Sequence, residues 1–97
     1  MRYTLENEQL TIFLEGEINS ANAESVEEDI DVILNKGGFK NIKLNCNDLS
    51  YISSAGLRII LRMKQQYNDV AITEAQDGVY DILIMVGFNN LITIERK

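Results

Sequence analysis

A layered α/β domain with one antiparallel edge is the fold class this sequence predicts, on three observations. Apolar residues alternate with polar ones in short stretches, they recur every three to four residues in the stretches between, and the two patterns follow one another as β-β-α-β-α-β-α-β. Right-handed crossovers then place the later strands parallel in one sheet, and the opening hairpin supplies the antiparallel edge. With 97 residues, 45% of them hydrophobic, the chain makes a single domain over residues 1–97 and can bury one modest core.

Met1 to Glu6 and Leu10 to Ile18 read as two strands around the polar turn Asn7-Glu8-Gln9, because Leu10, Ile12 and Leu14 alternate with Thr11, Phe13 and Glu15. From Ser20 or Asn22 onward, Ala23, Val26, Ile30, Ile33 and Leu34 form one helical stripe. Its early turns hold Glu24, Glu27, Glu28, Asp29 and Asp31, which suit the positive end of the helix dipole, and Lys36-Gly37-Gly38 stops it. Phe39 to Asn45 is the next strand, closed by the turn-rich Asn45-Cys46-Asn47-Asp48. A second helix begins near Ser53 or Ser54, runs through Leu57, Ile60, Leu61 and Lys64, and ends at Tyr67-Asn68-Asp69. Val70 to Ala75 is a strand. Val79, Ile82, Leu83 and Val86 make a third stripe that Gly87 ends in a left-handed cap, with Phe88 folding back on it, and Leu91 to Ile94 is the last strand.

Composition removes several function classes. A formal charge of −6 disfavours a nucleic-acid partner, since such affinity rests on basic side chains neutralising phosphates. The chain has no His, the commonest general base and metal ligand. No apolar run reaches the roughly 20 residues of a bilayer span, so no membrane insertion is expected. Cys46 is the single cysteine, and with no signal-peptide pattern a reducing, cytoplasmic setting is the expectation. Cys46 has no His or Cys partner in sequence and reads as a small near-buried residue rather than a nucleophile. Gly37-Gly38 lacks the Lys and hydroxyl of a phosphate-binding loop, so no cofactor is expected.

One segment stands apart. In Leu49-Ser50-Tyr51-Ile52-Ser53-Ser54-Ala55-Gly56-Leu57-Arg58, two hydroxyls lie between a strand region and the start of an apolar helix. Taken alone, they are ordinary N-cap residues. The same position also favours negative charge, because the free N–H groups of the first turn point there, and the small Ala55 and Gly56 leave room for another protein to approach. Arg58 follows Ser54 by four residues, on the same helix face, where it can meet a phosphate or serve as a solvated charge.

The stretch Tyr51-Ile52-Ser53-Ser54-Ala55-Gly56-Leu57 resembles the loop of STAS-domain anti-sigma-factor antagonists, in which a Ser or Thr two residues before the Gly-Leu pair is phosphorylated. The resemblance extends along the chain: Leu14-Glu15-Gly16-Glu17-Ile18-Asn19 is similar to the family's second strand and following turn, Asn45-Cys46-Asn47-Asp48-Leu49 to the strand end before the loop, and Val79 through Ile94, including Met85-Val86-Gly87-Phe88, to its last helix and strand. It implies a STAS fold, a single mixed sheet of four to five strands with helices packed mainly on one face. By the same match Ser54 is the phosphoacceptor, Ser53 stands where many members have Asp, and Arg58 stands where a small Gly is frequent.

The implied function is that of an anti-sigma-factor antagonist. Unphosphorylated, it binds an anti-sigma factor with serine-kinase activity; phosphorylation at Ser54 releases it, and a protein phosphatase resets it. Asn19, Ser20, Asn22, Ser53, Gly56 and Arg58 are the expected partner-binding residues, by position in the family match. The domain itself is not expected to be an enzyme. An alternative is a constitutive STAS interaction module docking to a transporter or sensor assembly, with Ser54 only a cap. A third reading, a small enzyme using Asp48 or Glu17, has no recognisable pairing of carboxylates behind it.

Overall fold

The computed structural model describes residues 1–97 and contains five strands, three α-helices and one short 3-10 helix. They are β1 (Tyr3–Glu6), β2 (Gln9–Ile18), α1 (Ala23–Leu34), β3 (Asn41–Ile52), α2 (Ser54–Gln66), β4 (Val70–Ala75), α3 (Asp77–Met85), the 3-10 turn Phe88–Asn90, and β5 (Thr93–Arg96). The expected order of elements holds throughout. All five strands form one sheet in the order β1-β2-β3-β4-β5, antiparallel between β1 and β2 and parallel elsewhere. Because strand order follows chain order, each right-handed crossover steps the same way and lays its helix on the same face of the sheet.

Register explains where the core sits. Leu10 pairs with Ile42 and Ile12 with Leu44, while Ile42 pairs with Val70 and Leu44 with Ile72, so these rows share one face and all are buried. Thr11, Phe13, Lys43, Asn45, Ala71 and Thr73 occupy the other face and stay half-exposed. The helices close the buried side with Ile30, Ile33 and Leu34 from α1, Ile59, Ile60 and Met63 from α2, and Val79 and Leu83 from α3. The result is one continuous cluster of 22 buried residues.

β1 and β3 each start two residues later than the sequence reading, at Tyr3 and Asn41, and three larger differences bear on the architecture. The opening turn is two residues long: Asn7 and Glu8 both take left-handed φ (52° and 66°), the twist that suits a tight hairpin, and Gln9 already belongs to β2. Glu8 is held there by Lys40, whose backbone N–H donates to the Glu8 carbonyl at 2.7 Å. Secondly, Asn45–Asp48 does not end β3. The pairing with β2 slips by one residue between Asn45 and Asp48 and again between Leu49 and Tyr51, so the polar residues form bulges and the strand runs on to Ile52. Asn45 Oδ1 accepts the Asn47 N–H at 2.9 Å, a local Asx bond that gives the segment its turn-like composition inside a strand. Thirdly, Gly87 does take the left-handed conformation (φ 80°), but the chain then winds through Phe88–Asn90 before β5 begins at Thr93. Phe88 and Ile92 enter the core, whereas Val86, expected in the third stripe, is exposed.

Candidate functional site

The two bulges carry β3 past β4, whose pairing with it stops at Asn45–Thr73. Beyond that point β3 is accompanied only by β2, and the two strands end together at the pair Ile18–Ile52. The Ser53 N–H donates to the Ile18 carbonyl at 2.8 Å, one last rung that fixes the β3–α2 junction beside the β2–α1 junction. This is the carboxyl end of the parallel strands, the usual location of sites in open α/β sheets.

The two serines do different things. Ser53 has extended backbone, and its Oγ accepts the Gly56 N–H at 3.3 Å, which makes it the N-cap of α2. Ser54 is the first helical residue, is exposed, and its hydroxyl has no hydrogen-bond partner within the chain. Its Oγ therefore lies at the positive end of a 13-residue helix and carries no structural bond.

Gly56 turns out to face inward. A Cβ built there would lie 2.6 Å from Ile52 Cγ1 and 2.8 Å from Ile18 Cγ2. Its glycine is required by the close seat of α2 on the ends of β2 and β3, not by an open approach for a partner. Ala55, by contrast, is half-exposed beside Ser54.

Asn19 and Asn22 bracket the neighbouring junction. Asn19 Oδ1 accepts the N–H groups of Ala21 and Asn22 at 3.0 and 3.1 Å; Asn22 Oδ1 accepts the Asn19 N–H at 2.9 Å, and Asn22 Nδ2 donates to the Glu17 carbonyl at 2.9 Å. Asn22 occupies the N-cap position of α1 without a side-chain cap bond, and its side chain serves instead in this reciprocal Asn pair at the turn before the helix. Ser20, between them, is exposed.

Ser20 and Arg58 line one shallow cleft between α1 and α2, together with Ala23, Ala55 and Ile59. Arg58 is exposed and forms no ion pair. At the far wall Arg62 Nη1 donates to both carboxylate oxygens of Glu27, at 2.5 and 2.6 Å, and straps α2 to α1. Glu27 and Arg62 were absent from the sequence-derived site; the signal was the four-residue step Ser54, Arg58, Arg62 along α2. Beyond the strap, Ile30, Leu34 and Met63 floor a second, larger cleft between the same helices.

The remaining candidates lie apart. Glu17 is opposite Tyr51 and Asp48 opposite Glu15, all four exposed, and no cluster of three or more His, Cys, Asp or Glu side chains forms a cation site. Cys46 is buried, and burial pushes its thiol up to about 12. No helix is long and apolar enough to cross a membrane.

Comparison with known proteins agrees with this architecture. The STAS domain family model matches residues 3–97. BtrV of Bordetella bronchiseptica, assigned as an anti-sigma factor antagonist, is 31% identical over 88 residues, covering 87% of this chain and 75% of its own. Among solved structures, the Thermotoga maritima protein tm1081, also assigned as an anti-sigma factor antagonist, superposes with a TM-score of 0.86 at 21% identity over 99% of this chain and 86% of that one. The anti-sigma factor antagonist SpoIIAA in its unphosphorylated form gives 0.75 at 19% identity, over 96% and 87%. The two structures share the fold; with the family model and the BtrV relationship, they establish that this chain belongs to the STAS-domain family of anti-sigma-factor antagonists.

Proposed function

We propose that this chain is a phosphorylation-controlled partner switch: with Ser54 free it binds an anti-sigma factor that is also a serine kinase, and with Ser54 phosphorylated it lets that partner go. The observation that carries the reading is the division of labour between the serines. Ser53 caps α2, so Ser54 can be modified without breaking a bond that the fold uses. A phosphate there adds about −1.5 to −2 charges, which the helix N-terminus tolerates and a closely docked surface does not. SpoIIAA, a neighbour in fold, is also solved in a phosphorylated form, with a TM-score of 0.66 to this chain.

In this reading Ser20, Ser54 and Arg58 meet the partner directly, and Asn19, Asn22, Ser53 and Gly56 hold the two junctions in shape. The chain acts by binding and not by catalysis, ATP and magnesium belong to the kinase, and a separate cytoplasmic phosphatase restores the Ser54 hydroxyl. The test is incubation with candidate serine-kinase anti-sigma factors and ATP, followed by intact mass and site mapping. One added phosphate on Ser54, with loss of the complex, is expected. A partner that binds and releases with no phosphate on Ser54 would overturn the switch and leave a constitutive docking module.

A further inference from the structure

From the outer edge of β1 we infer a second interaction surface, one that fits another copy of this chain in antiparallel register centred on Thr4. β1 is the terminal strand of the sheet and is hydrogen-bonded on one side to β2 alone. The Phe13 N–H donates to the Arg2 carbonyl at 3.1 Å, and the two-residue turn joins Glu6 to Gln9. In an antiparallel ladder bonded pairs alternate, so Arg2, Thr4 and Glu6 direct their backbone groups toward β2, while Tyr3 and Leu5 direct theirs outward. Those outward N–H and C=O groups form an open template.

The side chains are self-complementary in one register only. If Thr4 faces Thr4 of the second copy, Tyr3 faces Leu5 and Arg2 faces Glu6, twice each by symmetry. Tyr3 and Leu5 are both outward-bonding positions, so the backbone parity is right, and both are exposed apolar residues, at 37% and 43%. Shifting the centre to Tyr3 or to Leu5 keeps parity but sets Arg2 or Glu6 against Thr4. Glu6 has no ion pair within the chain, and the Arg2 guanidinium is already posted over the Phe13 ring at 4.1 Å, on the same sheet face as Glu6.

The opposite edge is defended where this one is not. β4 and β5 slip register between Ile72 and Ala75, and Arg96 in β5 is occupied by Asp77 and the Tyr80 ring. β1 pairs with β2 without a bulge, and the chain has no Pro. The dyad through Thr4 stands perpendicular to the sheet, producing ten continuous strands with all helices on one side. It also puts the two Ser54 junctions at opposite ends, so a dimer is bivalent for a partner without blocking either site.

Sedimentation velocity over a concentration series is expected to show a reversible monomer–dimer equilibrium. Arg2→Glu and Glu6→Arg should each weaken association roughly tenfold, because two attractive cross-strand pairs become repulsive, and the double exchange should restore it. Thr4→Cys places the introduced thiols about 4.5 Å apart by Cα, within disulfide reach, so mild oxidation should give a covalent dimer on a non-reducing gel. Cys46, at 1% exposure, does not compete. A monomer at every concentration, with no cross-link from Thr4→Cys, overturns the inference. So does a double exchange that fails to rescue while circular dichroism shows a native fold, or preferential cross-linking through Tyr3→Cys or Leu5→Cys.

Discussion

Ser53 and Ser54 are adjacent and chemically identical, and their separate roles give opposite expectations for the same substitution. Ser53→Ala removes the acceptor for the Gly56 N–H and should lower stability by about 1 kcal/mol in urea titration, while Ser53→Asp, another good cap, keeps it. Ser54→Ala removes no bond and should fall within about 0.5 kcal/mol of the parent. In binding assays the order reverses: Ser54→Ala should hold the anti-sigma partner and resist release by ATP, and Ser54→Asp should fold normally and lose it. A Ser54→Asp variant that binds like the parent needs comparison with the phosphorylated protein, and equal binding there rules out the electrostatic mechanism. Gly56→Ala should be the most damaging change in the loop. Its methyl meets Ile52 and Ile18 closer than packed carbons approach, so α2 must lift, at about 1–3 kcal/mol. Cys46, with its thiol raised by burial, should resist alkylation at pH 8 until the protein unfolds.

Among elements, the β2–α1 junction is built as a unit. Asn19 and Asn22 exchange hydrogen bonds across one turn, so each single change to Ala breaks bonds that the other residue also needs. Asn19→Ala and Asn22→Ala are expected to cost about 1 kcal/mol each and the double variant less than their sum, a coupling that a double-mutant cycle in denaturant measures. Periodicity reveals the three helices and the strands β2, β3 and β4 because one face of each is buried, and Val70–Ala75 begins and ends where the alternation does; β1, exposed throughout, is legible only from the polar turn that joins it to β2. It failed at Asn45–Asp48, where turn-forming side chains sit in bulges whose backbone is held by a neighbouring strand distant in sequence. The same limit applied to the site. Ser54 and Arg58 share one helix, so their four-residue spacing is visible in the sequence, but Glu27 belongs to another element, and only the packing of α1 on α2 brings it to Arg62. Gly56 was legible as important and misread in kind, because its constraint comes from Ile18, on a strand far away in sequence.

Across the whole molecule, stability is graded from the middle of the sheet to its edges. Leu44 lies between Ile12 and Ile72, all three fully buried, whereas every residue of β1 is exposed and β5 buries none completely. Leu44→Ala should therefore cost about 2–5 kcal/mol, a large share of the roughly 5–15 kcal/mol that holds a domain of this size. Native-state hydrogen exchange should follow the same gradient, with Ile42 to Leu44 opening only on global unfolding and the edge strands opening locally. That gradient separates two ways in which a phosphate could release a partner. If the switch is local, phosphorylating Ser54 leaves exchange across the centre of β3 unchanged and alters only the first turn of α2 and the β2–α1 junction, which share the Ser53–Ile18 rung. If release works by loosening the domain, protection falls at Leu44 as well. The Ser53 cap and the exposed Ser54 hydroxyl favour the first outcome, and loss of protection at the centre of β3 would refute it.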